Sequence, residues 1–160
     1  MTHMKRVIAL TGILLLAGCA QDATPGILTG EPWVRTTDEA QRPDMTAVYV
    51  NLTNPSDSDV TLIDADCGDV AEITELHEMI MRDGEMVMQE AADGIVVPAG
   101  SHEHLAPGGP HIMLMELNRE LPVGSEEVTC ELTFDDGSTR EIVAPVKEFT
   151  EEQDTYHTHD

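Results

Sequence analysis

Short strand-like segments separated by turn residues constrain the fold of this chain most strongly. Each segment is apolar or alternates between apolar and polar residues, and none carries a sustained apolar stripe at 3.6-residue spacing with helix caps. The segments cover residues 47–53, 60–66, 76–81, 86–90, 94–97, 111–117, 128–134 and 140–146. This spacing predicts an all-β sandwich or barrel, and a length of 160 residues suits one such domain.

The charge balance narrows the class of partner. The chain has 31 acidic and 8 basic residues, which gives a formal net charge of −23. Phosphate binding needs a basic face, so this composition excludes nucleic acid as a partner. A metal cation or a positively charged protein is the better electrostatic match. Because hydrophobic residues make up an ordinary 41%, the acidity does not indicate disorder.

The N-terminus predicts a secretion signal. Lys5 and Arg6 precede a mostly apolar run over residues 7–17, which is too short to span a bilayer. The following Gly18-Cys19 resembles the end of a bacterial lipobox, in which Cys19 is lipidated and becomes the first mature residue. A plain signal peptide is the alternative. We therefore expect an extracytoplasmic protein anchored by lipid to a bacterial membrane, at the cell surface or in the periplasm.

The remaining chain divides into a tether, one domain and a tail. Residues 1–18 form the expected signal peptide, 19–30 the lipidated tether, 31–147 the β-sandwich domain and 148–160 an acidic tail that contains histidines. Cys67 and Cys130 are the only other cysteines. In an oxidising compartment we favour a structural disulfide between them, with free thiols or metal ligands as the alternatives.

Methionine and histidine are concentrated in one part of the sequence. Six of the nine methionines occur in pairs two residues apart, at Met79, Met81, Met86, Met88, Met113 and Met115. On a strand, residues two apart share a face, so His77 joins the first pair and His111 joins the last. A hairpin turn at Asp83-Gly84 would place Met81 opposite Met86 and Met79 opposite Met88.

These positions predict a cluster of two imidazoles and two thioethers, from His77, Met88, His111 and Met113. Thioether sulfur is soft and neutral, so the set suits Cu(I) and is poor for Zn(II), Mg(II) or Ca(II). The alternative is that the methionines only fill the core, which methionine does well. A third interpretation follows from that alternative: an adhesion domain that binds no copper.

The spacing His77-x10-Met88-x22-His111-x-Met113 resembles the copper-ligand motif of the PCu(A)C family of bacterial extracytoplasmic copper chaperones. The similarity covers about residues 31–147 and includes the segments 97–100 and 107–115. The gap of 22 residues is one longer than the usual family form, and the Cys67/Cys130 pair is an addition.

The resemblance implies a cupredoxin-like Greek-key β-sandwich that holds Cu(I) at His77, Met88, His111 and Met113. It also implies delivery of copper to the dinuclear copper site of cytochrome c oxidase, or to a thiol-bearing assembly factor. A copper-buffering or copper-tolerance lipoprotein without a dedicated acceptor is the alternative. Blue-copper electron transfer is not indicated, because no His or Met follows Cys130 closely enough to complete that ligand loop.

Two further histidine pairs form candidates for a second site. His102 and His104 lie in a predicted loop, and His157 and His159 lie in the tail. Imidazole binds both Cu(II) and Zn(II), and the flexible tail pair is the favoured candidate of the two. The alternative is an exposed polar surface without a ligand. Since the sequence contains no Gly-x-Ser-x-Gly, His-Glu-x-x-His or phosphate-binding loop, we expect no enzyme activity.

Overall fold

The computed structural model describes residues 26–149, which form an all-β structure with one short 3-10 helix at Gly68–Val70. The strands are β1 (Leu28–Arg35), β2 (Met45–Asn54), β3 (Val60–Asp66), β4 (Ala71–Arg82), β5 (Glu85–Glu90), β6 (Ile95–Val97), β7 (Ser101–Leu105), β8 (His111–Leu117), β9 (Val128–Phe134), β10 (Thr139–Ala144) and β11 (Val146–Lys147). The predicted all-β class is confirmed. Within the described range, no helix has the length and hydropathy needed to cross a membrane.

The strands form two sheets packed as a sandwich. The larger has the order β11-β1-β2-β8-β4-β5, with β7 paired to the other end of β2, and the smaller has the order β10-β9-β3-β6. β1 and β11 run parallel, and every other pair is antiparallel.

Alternation along β2 separates an inner face from an outer face. Val48, Val50 and Leu52 are fully buried and pack in one cluster with residues of the smaller sheet such as Leu132 and Phe134. The alternate residues of β2 point away from that core and form a second apolar cluster, which contains Ala47, Tyr49 and Met113. Apolar side chains on the outer face of the larger sheet therefore pack against one another and are partly buried there.

A disulfide crosses the smaller sheet. Cys67 directly follows β3 and Cys130 lies in β9, and the structure bonds the two sulfurs with the Cα atoms 4.0 Å apart. Both residues are buried in the main core. The bond thus holds neighbouring strands that are 63 residues apart in sequence.

The hairpin between β4 and β5 has the predicted register. Met81 lies opposite Met86, and Met79 lies opposite Met88. The two loop residues, Asp83 and Gly84, have φ angles of 53° and 87°, as a type I′ turn requires. This turn matches the right-handed twist of the strands, and it fixes which side chains share a face.

Two sequence expectations differ from the structure. Strand β1 begins at Leu28, which pairs with Thr53, so residues 28–30 belong to the sheet and not to a tether. The loop predicted around His102 and His104 is wrong, because these residues lie in β7 and pair with β2. That strand has a polar exposed face, and its backbone pairing depends on a distant partner. The predicted signal peptide, Cys19, and the tail with His157 and His159 lie outside the described residues.

Candidate metal centre

Two histidines face each other across neighbouring strands on the outer face of the larger sheet. His77 in β4 and His111 in β8 are direct register partners, and their ring centroids are 5.7 Å apart. Met113 follows two positions along β8, so it shares their face and lies opposite Glu75 on one side. The pairing of β4 with β8 therefore assembles three of the four predicted ligand side chains.

Met88 approaches from the adjacent strand β5. It is opposite Met79 and diagonal to His77, and a diagonal neighbour is within reach of a long side chain. Met88, His111 and Met113 line one open cavity of about 660 Å³. Met113 is only 9% exposed whereas Met88 is 47% exposed, so the group is closed on the β8 side and open on the β5 side.

Hydrogen bonds orient both imidazole rings. His111 Nδ1 lies 2.9 Å from the carbonyl oxygen of Gly109, which can only accept, so Nδ1 carries the proton. His77 Nε2 lies 3.0 Å from a carboxylate oxygen of Glu75 and donates to it. The unprotonated nitrogens are then His77 Nδ1 and His111 Nε2.

These two unprotonated nitrogens are buried and have no hydrogen-bond partner among residues 26–149. Buried polar atoms are nearly always paired, and an unpaired one costs about 1–3 kcal/mol. In each ring, one nitrogen is held by a hydrogen bond and the other keeps its lone pair. Metal-ligating histidines use this arrangement.

Burial also keeps His111 neutral. Desolvation lowers the pKa of His111, the hydrogen bond to Gly109 opposes this shift, and the electrostatic effect of the neighbouring His77 adds to the lowering. An imidazole must be neutral to ligate a metal. His111 is therefore ready to ligate at neutral pH without first losing a proton.

The chemistry of the donors selects the ion. Within the described range, no three His, Cys, Asp or Glu side chains are grouped closely enough to hold a metal. Among residues 26–149, the thioethers of Met88 and Met113 share one cavity with His111, so they are placed to supply sulfur donors beside the histidines. Such a set of neutral, soft ligands favours a soft monovalent ion such as Cu(I).

Several supporting residues were not assigned roles from the sequence. The rings of Trp33 and Tyr49 are in contact at a tilt of 38° with centroids 4.5 Å apart, and the Tyr49 ring lies 6.2 Å from that of His111. This aromatic pair therefore lies beside His111. The role of Glu75 could have been found, because it lies two residues before His77 and hence on the same strand face. The carbonyl of Gly109 left no signal in the sequence.

The other predicted histidine pair lies elsewhere on the same face. The rings of His102 and His104 are 4.6 Å apart, and His104 Nδ1 is 2.7 Å from Asn51 Oδ1. Strand β7 pairs with the end of β2 beyond the segment that pairs with β8, so this pair is separate from the His77–His111 site.

Comparisons with known proteins agree with this architecture. The family described as "Putative lipoprotein LpqE-like" matches residues 27–146. A relative from Leifsonia xyli subsp. xyli (strain CTCB07), "Putative lipoprotein Lxx21020", is 35% identical and covers 97% of this chain and 96% of its own length.

Solved structures show the same fold. The copper-bound PCuAC domain from PmoF2 is 26% identical with a TM-score of 0.61, covering 79% of this chain and 97% of that domain. The solution structure of CuI-DR1885 from Deinococcus radiodurans is 33% identical with a TM-score of 0.58, covering 82% of this chain and 83% of that one. The cupredoxin-like β-sandwich and the resemblance to PCu(A)C proteins are thereby confirmed, and the chain belongs to the LpqE-like family of PCuAC-type proteins.

Proposed function

We propose that this protein is an extracytoplasmic Cu(I) metallochaperone that binds copper through His77, Met88, His111 and Met113. The observation that carries the proposal is a pair of buried imidazole nitrogens that have no hydrogen-bond partner among residues 26–149 and lie beside two thioethers. Similarity to a copper-bound PCuAC domain and to CuI-DR1885 supports the choice of metal.

The unequal exposure of the ligands suits transfer of the ion. Met113 and His111 are buried, so they form the fixed side of the site, whereas Met88 is half exposed and can be displaced first. An incoming thiolate from an acceptor would replace the Met88 thioether and then the remaining ligands in turn. Copper stays Cu(I) throughout, since each step exchanges one donor bond for another and no electron moves.

We propose the acceptor and the location from the family resemblance. Copper would pass to the dinuclear copper site of cytochrome c oxidase or to a thiol-bearing assembly factor. A lipid on Cys19 would hold the protein at the outer side of a bacterial membrane, which agrees with the description of the family and of its relative as lipoproteins. In this role the protein binds a cargo and catalyses no reaction.

A competitive Cu(I) titration against a coloured chelator tests the binding site. We expect one tightly held Cu(I), with affinity reduced by at least about tenfold in Met88→Ala and in His111→Ala, because each removes one ligand. Met115→Ala and His104→Ala are matched controls that should leave the affinity unchanged. Absent uptake, or uptake that neither ligand variant weakens, would reject the site and favour the adhesion-domain interpretation.

The phenotype of a deletion strain distinguishes the chaperone from the alternative function, copper buffering without an acceptor. Loss of oxidase activity that added copper restores would support the chaperone. Sensitivity to copper with normal oxidase activity would support the buffer.

We also propose a secondary site for Cu(II) at His102 and His104. Asn51 Nδ2 donates to a carboxylate oxygen of Glu31 at 3.0 Å, so Asn51 Oδ1 accepts from His104 Nδ1 and leaves His104 Nε2 free to ligate. Loss of one Cu(II) equivalent in a His102→Gln/His104→Gln variant, with Cu(I) binding intact, is the expected result. Retention of that equivalent until residues 148–160 are removed would assign it to His157 and His159 instead.

A further inference from the structure

Four methionines form two successive cross-strand pairs on one face of the β4–β5 hairpin. Met81 is directly opposite Met86 beside the turn, and Met79 is directly opposite Met88 on the next pair of that face. His77 lies on the same face, two residues beyond Met79. A line of thioether side chains therefore runs from the end of the hairpin to the candidate metal centre.

Core packing does not explain the methionines at the hairpin end. Met81 is 65% exposed and Met86 is 53% exposed, whereas Met113 is 9% exposed and packs against Ala47 and Tyr49. Burial of apolar surface is the gain that a core methionine supplies, and exposed side chains forgo most of it. These two thioethers are available to a ligand from solvent.

Three polar residues of the hairpin, Arg82, Gln89 and Glu78, lie on the face opposite the methionines. Arg82 donates to Gln89 Oε1 at 3.0 Å, and Gln89 Nε2 donates to Glu78 at 2.9 Å. By register these residues alternate with the methionines. The guanidinium of Arg82 is thus directed away from the methionine face, where it would repel a bound cation.

The geometry of the hairpin allows two sulfurs to reach one ion. The two-residue turn fixes the register, and directly opposed residues in an antiparallel pair have Cβ atoms about 4.5–5.5 Å apart. Methionine has three rotatable side-chain bonds, so both thioethers can turn toward a shared ligand. The next methionine pair is two residues further along the strand, about 7 Å away.

We propose that Met81 and Met86 form an outer site for a soft monovalent ion, Cu(I) or Ag(I), from which copper reaches the inner site through Met79 and Met88. This inference rests on the proposed function. At each step a new Cu–S bond forms as an old one breaks, the ion remains monovalent, and no proton is released because every donor is neutral. The same route in reverse presents copper to an acceptor at the exposed end of the hairpin.

The outer site binds more weakly than the inner one. It offers two thioethers in contact with water, whereas the inner site adds two imidazoles oriented by Glu75 and Gly109. A weaker outer site favours net movement inward when copper is scarce.

An Ag(I) titration of the purified protein, followed by NMR of methionine methyl groups labelled with 13C, tests the outer site. Ag(I) is used because it is soft, monovalent and stable in air. The first equivalent should shift the methyl signals of Met88 and Met113, and a second, weaker equivalent should shift those of Met81 and Met86. The variant Met81→Leu/Met86→Leu should lose the second stage and keep the first.

The control is Met115→Leu, which removes a methionine of the same sheet face that does not line the cavity of the candidate metal centre. It should keep both stages. A single stage with unmoved Met81 and Met86 signals, or a second stage that survives in Met81→Leu/Met86→Leu, would overturn the outer site and leave the inner one standing. Shifts at Met81 and Met86 without any at Met88 and Met113 would support the outer site and reject the proposed function.

Discussion

Asn54 beside β6 and the histidines on the outer face of the larger sheet carry buried polar atoms whose hydrogen bonding differs. Asn54, at the end of β2, is 1% exposed and uses all of its hydrogen-bonding capacity. Its amide nitrogen donates to the carbonyl oxygens of Ser58 and Val97, and its oxygen accepts from the backbone and the hydroxyl of Ser56. This residue ties the loop after β2 to β6.

The histidines on the outer face of the larger sheet are only half satisfied. His77 and His111 each use one ring nitrogen in a hydrogen bond, and the other has no partner in the described part of the chain. Complete pairing, as at Asn54, contributes to the stability of the fold. Incomplete pairing lowers the stability of the fold, and a ligand that binds the unpaired nitrogens offsets this loss. Asn54 therefore serves the structure, whereas the two histidines are placed to bind a ligand.

Removing the disulfide should cause the largest loss in the free energy of unfolding. It also tests whether groups that stabilise the fold are independent of groups that bind copper. A bond that closes a loop of 63 residues contributes about 4 kcal/mol, mainly by restricting the unfolded chain. We expect Cys67→Ala/Cys130→Ala to lose about that much free energy of unfolding, measured by urea denaturation of the metal-free protein.

Copper affinity at 25 °C should survive in the disulfide variant, because neither sulfur lies on the outer face that carries the histidines. The control is Met88→Leu, which should lose copper affinity with little change in stability. If loss of the disulfide weakened Cu(I) binding by a similar factor in protein that is still folded, the two regions would not be independent.

Substitutions at Asn54 and at His111 compare a fully paired buried group with a half-paired one. Asn54→Ala leaves the carbonyls of Ser58 and Val97 without their donor, and it should cost about 1–3 kcal/mol. His111→Gln keeps a donor for Gly109 and should change the stability of the metal-free protein by less than that. Equal losses in urea denaturation would show that His111 has a structural role, contrary to the comparison.

Sequence reasoning could reach each half of the candidate centre, the β4–β5 hairpin and strand β8, because the features of each half are local; the pairing of β4 with β8 that joins the halves is not local. Residue parity places His77 with Met79, and a two-residue turn at Asp83-Gly84 fixes the partner of each methionine. His111 and Met113 are two residues apart in β8, so they also share a face. These relations depend on strand geometry alone and not on how the sheets pack.

The remainder depended on contacts between distant segments. Strand β7 is paired through Asn51 and Thr53 of β2, and its own residues show no alternation of apolar and polar side chains, so it was predicted as a loop. His111 Nε2 carries the lone pair because the Nδ1 proton is donated to the carbonyl of Gly109, and a backbone carbonyl has no signature in a sequence. The unequal exposure of Met88 and Met113 reflects the position of β5 at the sheet edge.

The smallest predicted effect is a pH dependence that arises from the outer face and not from Asn54, which does not titrate. Burial lowers the pKa of His111 below its ordinary value of 6.5. Well above pH 6.5 the ring is neutral in both folded and unfolded protein and adds no slope. As the pH falls below 6.5, the unfolded chain binds a proton that the folded chain does not, so the free energy of unfolding falls until the lowered pKa is passed.

Urea denaturation of metal-free protein between pH 8 and pH 5 measures this slope, and His111→Gln should reduce it. The low pKa values of Asp44 and Asp136 place their titration below that window. Burial raises the pKa of Glu103, and a raised carboxyl pKa adds stability on acidification, so this group works against the His111 slope and does not imitate it. An unchanged slope in His111→Gln would mean that another group causes the acid sensitivity. The reduced slope would show that the metal-free fold bears a measurable cost to keep this imidazole neutral.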